Sequence, residues 1–483
     1  MRAYDSGMNR RRRTGASGTD EPLPYARCMS EPSQTTHGRV PIALLFAYAA
    51  PMVPINFSLV LFMSYISNYA IDVLLVPPAA MGMIFMAGRL WDGVTDPVAG
   101  VWSDRTRNRL GRRRPWILAS AIPIALFGWM CWAAPVGLEG VWLIAWMIVA
   151  VFGFNTAMTF FLTPHQALGA ELTLDHHQVS QVFAFRQAAG YVGMIGCLVY
   201  AMEYLMTSPQ PRADASALAI YSGLAIAVLV GVSTLFLREP AGNRRRETKP
   251  ITSVATDVWR NRHARLLLVM IFIEHTGSGA SMVLSPFTYK YVLQAPHAIS
   301  EVFMFYVGSS LVSLVLWVPL SRRIGKRATW MIGLAAGVIG YLMVFNVSAG
   351  AITFMKAAVV LTGACSACAT VLGSSILADV IDADELETGE RKEGAYYSAY
   401  TFLYKTSSGI MAGIAGLALG YVGFAPGADQ PESVQLLIRS LHGLVPAGTM
   451  LIGALILTRF SLDEEMHAAI RAKLDARRAG EPA

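Results

Sequence analysis

One stretch of the sequence carries side chains whose types and spacing could hold a cation. In RLWDGVTDPVAGVWSDRTRNRLGRRRPWIL, Asp92 and Asp96 stand four residues apart. On a helix that spacing puts both carboxylates on one face, with Cβ atoms roughly 5–6 Å apart. Two such acids repel each other unless a cation or a proton comes between them. Their hard oxygens suit Na⁺ or Li⁺ as well as H⁺, and Thr95 could add a hydroxyl or help position the pair. The competing reading is that the acids only pair with Arg89 to stabilise the fold. The flanks favour the cation: residues 81–90 and 116–132 are almost wholly apolar, so the acids lie at membrane depth. An ionisable group there costs at least about 2.5 kcal/mol unless paired or wetted, and is a functional-site hypothesis by default.

Lys405 is the natural partner. It lies in YYSAYTFLYKTSSGIMAG, an otherwise apolar run, where a lone ammonium needs an anion or water. The alternative, a lysine snorkelling to an interface, fits its mid-span position less well.

The elements that must position these groups are membrane helices. The chain is 54% hydrophobic and 15% charged, against about 25% charged in soluble domains, which marks an integral, multi-pass membrane protein. Spans are expected at 40–66, 78–102, 115–135, 140–164, 180–206, 216–237, 265–290, 300–321, 328–348, 351–379, 395–423 and 434–460, each near the roughly 20 residues that cross a bilayer. The net charge of +7 sits in short clusters between apolar runs, as cytoplasmic loops do, so no nucleic-acid partner is expected. Residues 105–114, 238–265 and 322–327 are the basic loops, and the alternate loops around Asp72, Glu139, Asp214 and Asp429 are poor in positive residues. By the positive-inside rule both termini are cytoplasmic.

The domain reading follows. Residues 1–38 form a disordered cytoplasmic N-terminal tail with no signal-peptide pattern. Residues 39–238 form a six-helix half, 239–262 a cytoplasmic linker, 263–461 a second six-helix half and 462–483 a cytoplasmic C-terminal tail. SDRTRNRLGRRRPW after the second span has a shorter counterpart, SRRIGKRATW, after the eighth. The fold class is therefore an all-α membrane protein with the twelve-transmembrane-helix major facilitator fold, two six-helix halves meeting around a midplane site. Cys365 and Cys368 form C-x-x-C without a second ligand pair and read as small packing residues. No phosphate-binding glycine loop or catalytic triad is present, so no enzyme activity and no cofactor are expected.

Three ordered motifs carry a resemblance: the stretch around Asp92, TPHQALGAELTLD with Arg186 downstream, and ADVIDADELETGERKEGAYYS. Together they resemble the glycoside-pentoside-hexuronide:cation symporters typified by the bacterial melibiose carrier, a group similar also to animal lysolipid symporters. The resemblance implies that Asp92 and Asp96 bind the coupling ion, Na⁺ or H⁺, joined by the hydroxyl of Thr159, and that Lys405 faces them across the two halves. Pairing when the site is empty and release by the cation would then couple ion binding to movement. It implies further that Asn56 and Leu162 occupy positions where sugar-carrying members have acids, so the usual carboxylate grip is partly missing. Asn56, Gln166, Arg186 and Tyr65 are the substrate-binding candidates, with Asn155 and Tyr69 as further polar contacts. A glycoside is the default solute, and an amphiphile such as a lysolipid, or an aromatic acid, is the alternative. A sensor that transports nothing is a third reading, against which the retained Asp92, Asp96, Thr159 and Lys405 argue.

At the basic loop, Asp104, Arg105, Arg112 and Arg113 are expected to form a cytoplasmic latch with Asp379 and Asp382 when the carrier faces outward, as superfamily members do. The same arginines serve topology and contact anionic membrane lipid. The expected partners are a small solute and a monovalent cation. The protein is expected to be a monomer of a bacterial inner membrane.

Overall fold

In lipid, a spanning segment must satisfy its backbone internally, and apolar runs of this length do so as helices. The computed structural model describes residues 40–173, 176–237, 258–389, 392–461 and 464–479. Eleven helices among them are long and apolar enough to cross a membrane: α1 (Ile42–Asp72), α3 (Arg114–Trp132), α4 (Gly140–Glu171), α5 (Gln181–Thr207), α6 (Pro211–Phe236), α7 (Arg262–Val292), α8 (Pro296–Ile324), α9 (Lys326–Phe345), α10 (Ile352–Thr388), α11 (Tyr396–Tyr421) and α12 (Glu432–Leu457). The twelfth, α2 (Pro78–Arg105), has the length but carries Arg89, Asp92 and Asp96. It departs from the apolar pattern because of the residues of interest. The N-terminal tail, residues 1–38, and most of the linker expected at 239–262 lie outside the described residues.

Prolines stand inside seven spans, at Pro51 and Pro54 of α1, Pro97, Pro123, Pro164, Pro286, Pro319 and Pro446 of α12. Each removes a backbone donor and clashes with the preceding turn. In α2 Pro97 follows Asp96 directly, so the continuous helix lacks one backbone donor beside the carboxylate.

The halves meet most closely through α2 and α11. A Cβ on Gly82 would stand 2.8 Å from the Gly416 Cα, one on Gly416 2.5 Å from the Pro78 carbonyl oxygen, and one on Gly409 2.4 Å from the Arg89 Cβ. Small residues allow this backbone-to-backbone approach, which is how membrane helices gain dispersion energy without a hydrophobic drive between them. Two further links tie the same end, away from the arginines. Lys290 of α7 donates to Asp72 of α1 at 2.6 Å, and Ser300 of α8 donates to the Leu198 carbonyl of α5 at 3.4 Å. One apolar core runs through the first half and continues into the second through Leu284, Phe287, Met411 and Ala415. The other, around Ile271, Trp330, Leu372 and Ile381, stays within the second half toward the arginine end. The halves thus close at one end.

Two local outcomes bear on the sequence. Cys365 and Cys368 are buried, each sulfur filling the notch at a glycine of α9, where a Cβ on Gly337 or Gly333 would come within 2.6 Å. They are packing residues, as the spacing implied. Within the stretch read as a C-terminal tail, Glu464–Ala479 forms a helix, α13. It docks on the end of α10 through His467 Nε2 and Arg471 Nε, 3.1 and 3.0 Å from Asp382 Oδ2, and through Arg477 to the Leu386 carbonyl at 2.7 Å.

Candidate cation and substrate site

Asp92 and Asp96 project from one face of α2, as the four-residue spacing requires. Asp92 is buried, with 3% exposure, and Arg89 reaches it at 3.1 Å from within the same helix. Arg89 is held by three other contacts. It donates to Asn155 Oδ1 at 3.2 Å, lies over the Phe85 ring at 5.3 Å, and rests its stem against Gly409. A buried guanidinium needs such anchoring because its desolvation is not repaid by one carboxylate alone. Asn155 was foreseen only as a general polar contact. It stands one helical turn before Thr159 on α4, and its partner is the arginine.

Asp96 faces the more open side. Thr159 donates to its Oδ1 at 3.0 Å, and Lys405 of α11 donates to its Oδ2 at 2.6 Å. The same ammonium lies 3.8 Å from Asp92 Oδ2. One cationic group from the second half therefore stands between the two acids of the first, where two carboxylates would otherwise repel. Asp96 and Lys405 are 31% and 26% exposed, so a small ion can reach them. Asp92 Oδ1 is enclosed and has no hydrogen-bonding partner among the described residues. It is a free hard oxygen beside the pair. Thr95 does not join this group. Its hydroxyl turns back to the Trp91 and Asp92 carbonyls, at 3.2 and 3.5 Å, the usual behaviour of threonine inside a helix.

The substrate candidates scatter. Gln166 is exposed on α4 and Arg186 half-buried on α5, with the Arg186 Nε enclosed and unmatched among the described residues. Asn56 donates to the Met52 carbonyl of its own helix at 3.1 Å and lies against Gly190 of α5. Tyr65 is 3% exposed and stacks on Trp132 of α3 at 6.2 Å, within the first half. Tyr69 donates to the Trp132 carbonyl at 2.7 Å. His165 stacks on Tyr48 at 4.3 Å and its Nε2 meets the Tyr48 carbonyl at 3.0 Å. It joins two helices.

Of the latch residues, Asp104, Arg112, Arg113 and Asp379 have a partner in their own half, and Asp382 has partners on α13. Arg113 reaches Asp104 at 3.0 Å and Glu171 at 2.8 Å, and Arg112 reaches Glu171 at 2.5 Å. On the other side Asp379 holds Lys326 at 2.6 Å, and Asp382 holds His467 and Arg471. Arg105 is exposed at the end of α2. Among the described residues no ion pair joins Asp104, Arg105, Arg112 or Arg113 to Asp379 or Asp382. Glu171 and the Asp72 to Lys290 bridge were not foreseen. Glu171 lies in the quoted motif TPHQALGAELTLD, but spacing alone does not show which loop it meets.

A twelve-helix bundle of two halves, with ionisable groups of both converging at mid-depth, defines a membrane carrier. The chain belongs to the family described as MFS/sugar transport protein, whose model matches residues 47–464. It is a transporter and not an enzyme. Over 443 residues it is 25% identical to the sodium-dependent lysophosphatidylcholine symporter 1-A of Danio rerio, covering 83% of this chain and 82% of that one. Over 420 residues it is 26% identical to a putative sulfoquinovose importer of Salmonella typhimurium, covering 84% and 87%. Among solved structures, the crystal structure of the nucleoside transporter NupG aligns with a TM-score of 0.64 at 12% identity, over 87% of this chain and 99% of that one. The expected major facilitator fold and the expected family are both found.

Proposed function

We propose that this protein is a symporter in which Na⁺ enters between Asp92 and Asp96, is completed by Thr159, and displaces Lys405. The observation that carries this is the ammonium of one half lying within reach of two acids of the other. With the cation absent, Lys405 neutralises the acids and holds the halves together at mid-depth. With the cation bound, the ammonium is freed, and the contact between α2 and α11 loses its strongest electrostatic link. Ion binding and movement are thereby the same event. A proton can replace Na⁺ by neutralising one carboxylate, which is why the same site accommodates H⁺. A sensor has no use for such an exchange.

The arginine-rich end is assigned to the cytoplasm, with both termini there and the chain a monomer in a bacterial inner membrane. The closure of the opposite end then makes this the inward-facing conformation, in which the latch is open. The solute of this reading is a glycoside or related sugar, with Gln166, Arg186 and Asn56 as candidate contacts. A second reading, an amphiphile, is favoured by one feature: the family's acid on the fourth helix is replaced by Leu162, half-buried among apolar neighbours. An apolar groove of about 490 Å³ between α8 and α10, lined by Met304, Phe305, Val312, Leu316 and Val360, offers a place for an acyl chain of the surrounding lipid.

The test is uptake into proteoliposomes of a panel of glycosides, glucuronides, aromatic acids and lysolipids. Each is driven in turn by a Na⁺ gradient at constant pH and by a pH gradient without Na⁺. Flux driven by Na⁺ alone identifies the ion, and the panel member that moves identifies the solute. No flux under either gradient, from protein shown to be folded, would end the symporter reading.

A further inference from the structure

Glu274 is a buried acid that the cation site does not use. It stands on α7 with 3% exposure, and its Oε2 is enclosed without a hydrogen-bonding partner among the described residues. Among the described residues no cationic side chain forms an ion pair with it. The titratable groups around it are neutral ones: Tyr341 of α9, Cys365 and Cys368 of α10, and Tyr400 of α11. From α12, Thr449 packs at Gly277, one turn along α7, and is not titratable. On α7 itself His275 follows, its Nδ1 2.8 Å from the Ile271 carbonyl oxygen.

An ionised carboxylate in such surroundings costs several kcal/mol, because no cation among the described residues repays its desolvation. A carboxylic acid has no such cost. Groups of α11 that can exchange a proton stand nearby. The His275 ring meets Tyr404 edge-on at 4.8 Å and Tyr400 at 6.2 Å. Tyr404 is 48% exposed and is the neighbour of Lys405. The helix that supplies both tyrosines, α11, is the one that packs on α2 across the halves, so movement of the halves changes the surroundings of Glu274.

We propose that Glu274 is a proton-binding site of the second half, separate from the Asp92 and Asp96 site, loaded in this conformation and emptied to water when the halves rearrange. The transfer is of a proton alone: the carboxyl O–H bond breaks, water admitted by the rearrangement accepts the proton as hydronium, and a carboxylate remains. Occupancy stands on the geometry of this conformation. Release rests on the alternating-access reading.

The full chain in lipid nanodiscs, with infrared spectra recorded at neutral pH in H₂O and D₂O, tests both parts. The carbonyl band of a protonated carboxyl group is expected in the parent protein. It should be lost in Glu274→Gln and kept in Asp92→Asn. If Glu274→Gln leaves the band intact, occupancy is overturned. Should Glu274→Gln not fold, Glu274→Asp serves, since it displaces the band if the assignment is right and leaves it in place if not. For release, Gly416→Val and Gly82→Val each place side-chain atoms against backbone at the closed end and so favour the other conformation. The band should weaken in both at the same pH. Its full persistence in either folded variant makes the proton a permanent structural one and overturns release. Absence of Na⁺-driven flux would sink the cation reading without altering the parent band, so the two failures are distinguishable.

Discussion

Replacing Lys405 by glutamine tests the exchange mechanism most directly. Its ammonium lies 2.6 Å from Asp96 and 3.8 Å from Asp92. At an effective dielectric of about 20 these attractions amount to about 6 and about 4 kcal/mol. Most of that is offset by lost hydration and by the partial exposure of Lys405 and Asp96. A net of about 1.5–3 kcal/mol remains, the usual value for a hydrogen bond to a charged group. An entering cation must overcome this competitor. Lys405→Gln removes it while leaving both acids in place, so Na⁺ should bind about 10- to 150-fold more tightly, while coupled transport falls because no ammonium is released to free the halves. The assay is a Na⁺ titration of the purified variant followed by thermal midpoint, whose rise with ligand reports affinity by mass action. It is run at one fixed pH for parent and variant. Unchanged or weaker Na⁺ binding in Lys405→Gln would refute the reasoning, as would undiminished uptake.

Four further outcomes follow from the geometry. Thr159→Val should weaken Na⁺ binding by about 0.5–1.5 kcal/mol, the worth of one hydroxyl contact. Thr95→Val, whose hydroxyl serves its own helix, should leave the same titration near the parent value. Gly416→Val should slow alkylation of a cysteine placed at Gln166 from the arginine side, because the opposite end can no longer close over a side chain where a Cβ already meets the Pro78 carbonyl at 2.5 Å; unchanged labelling would argue against that closure. Ending the chain at Ser461 strips His467 and Arg471 from the buried Asp382, which should lower stability by about 1–3 kcal/mol. Asp382→Asn in the shortened chain should recover part of the loss in a melting experiment.

What could be read from the sequence divides along physical lines. The spans were legible because each must be long and apolar, and α2 stood out because it breaks that rule with three charges. The four-residue spacing placed Asp92 and Asp96 on one face, and a lone lysine in an apolar run announced a need for an anion. The resemblance supplied Thr159. What stayed hidden was mostly which face of a helix meets which neighbour. α1 is apolar nearly all round, so periodicity does not orient it, and Tyr65, a candidate for substrate contact, turns into the first half against Trp132. Thr95 and Thr159 are chemically alike, yet one bonds backwards and the other reaches across. Asp72 and Lys290, 218 residues apart, meet only because the halves close at that end. The helix of residues 464–479 was read as tail because it is polar, but its basic face matches the acids at the end of α10.

The strength of the exchange sets a condition on the rest of the molecule. A ligand shifts a conformational equilibrium only by its differential affinity for the two states. Moving a population from 1:99 to 99:1 requires about 10⁴-fold, or about 5.5 kcal/mol. Release of Lys405 offers about 1.5–3 kcal/mol, so the unliganded states must already lie close in free energy. The ion pairs at the arginine end meet that need. Arg113 holds Glu171 and Asp104, and Asp379 holds Lys326, each in its own half. If the arginine end closes by trading these partners pair for pair, the number of satisfied charges is conserved and the net cost stays small. The glycine contact of α2 with α11 and the Asp72 to Lys290 bridge must then be of comparable weight at the other end. A substitution that removes one partner without replacement, at either end, exceeds the few kcal/mol that the cation commands. It should therefore trap the carrier rather than merely slow it.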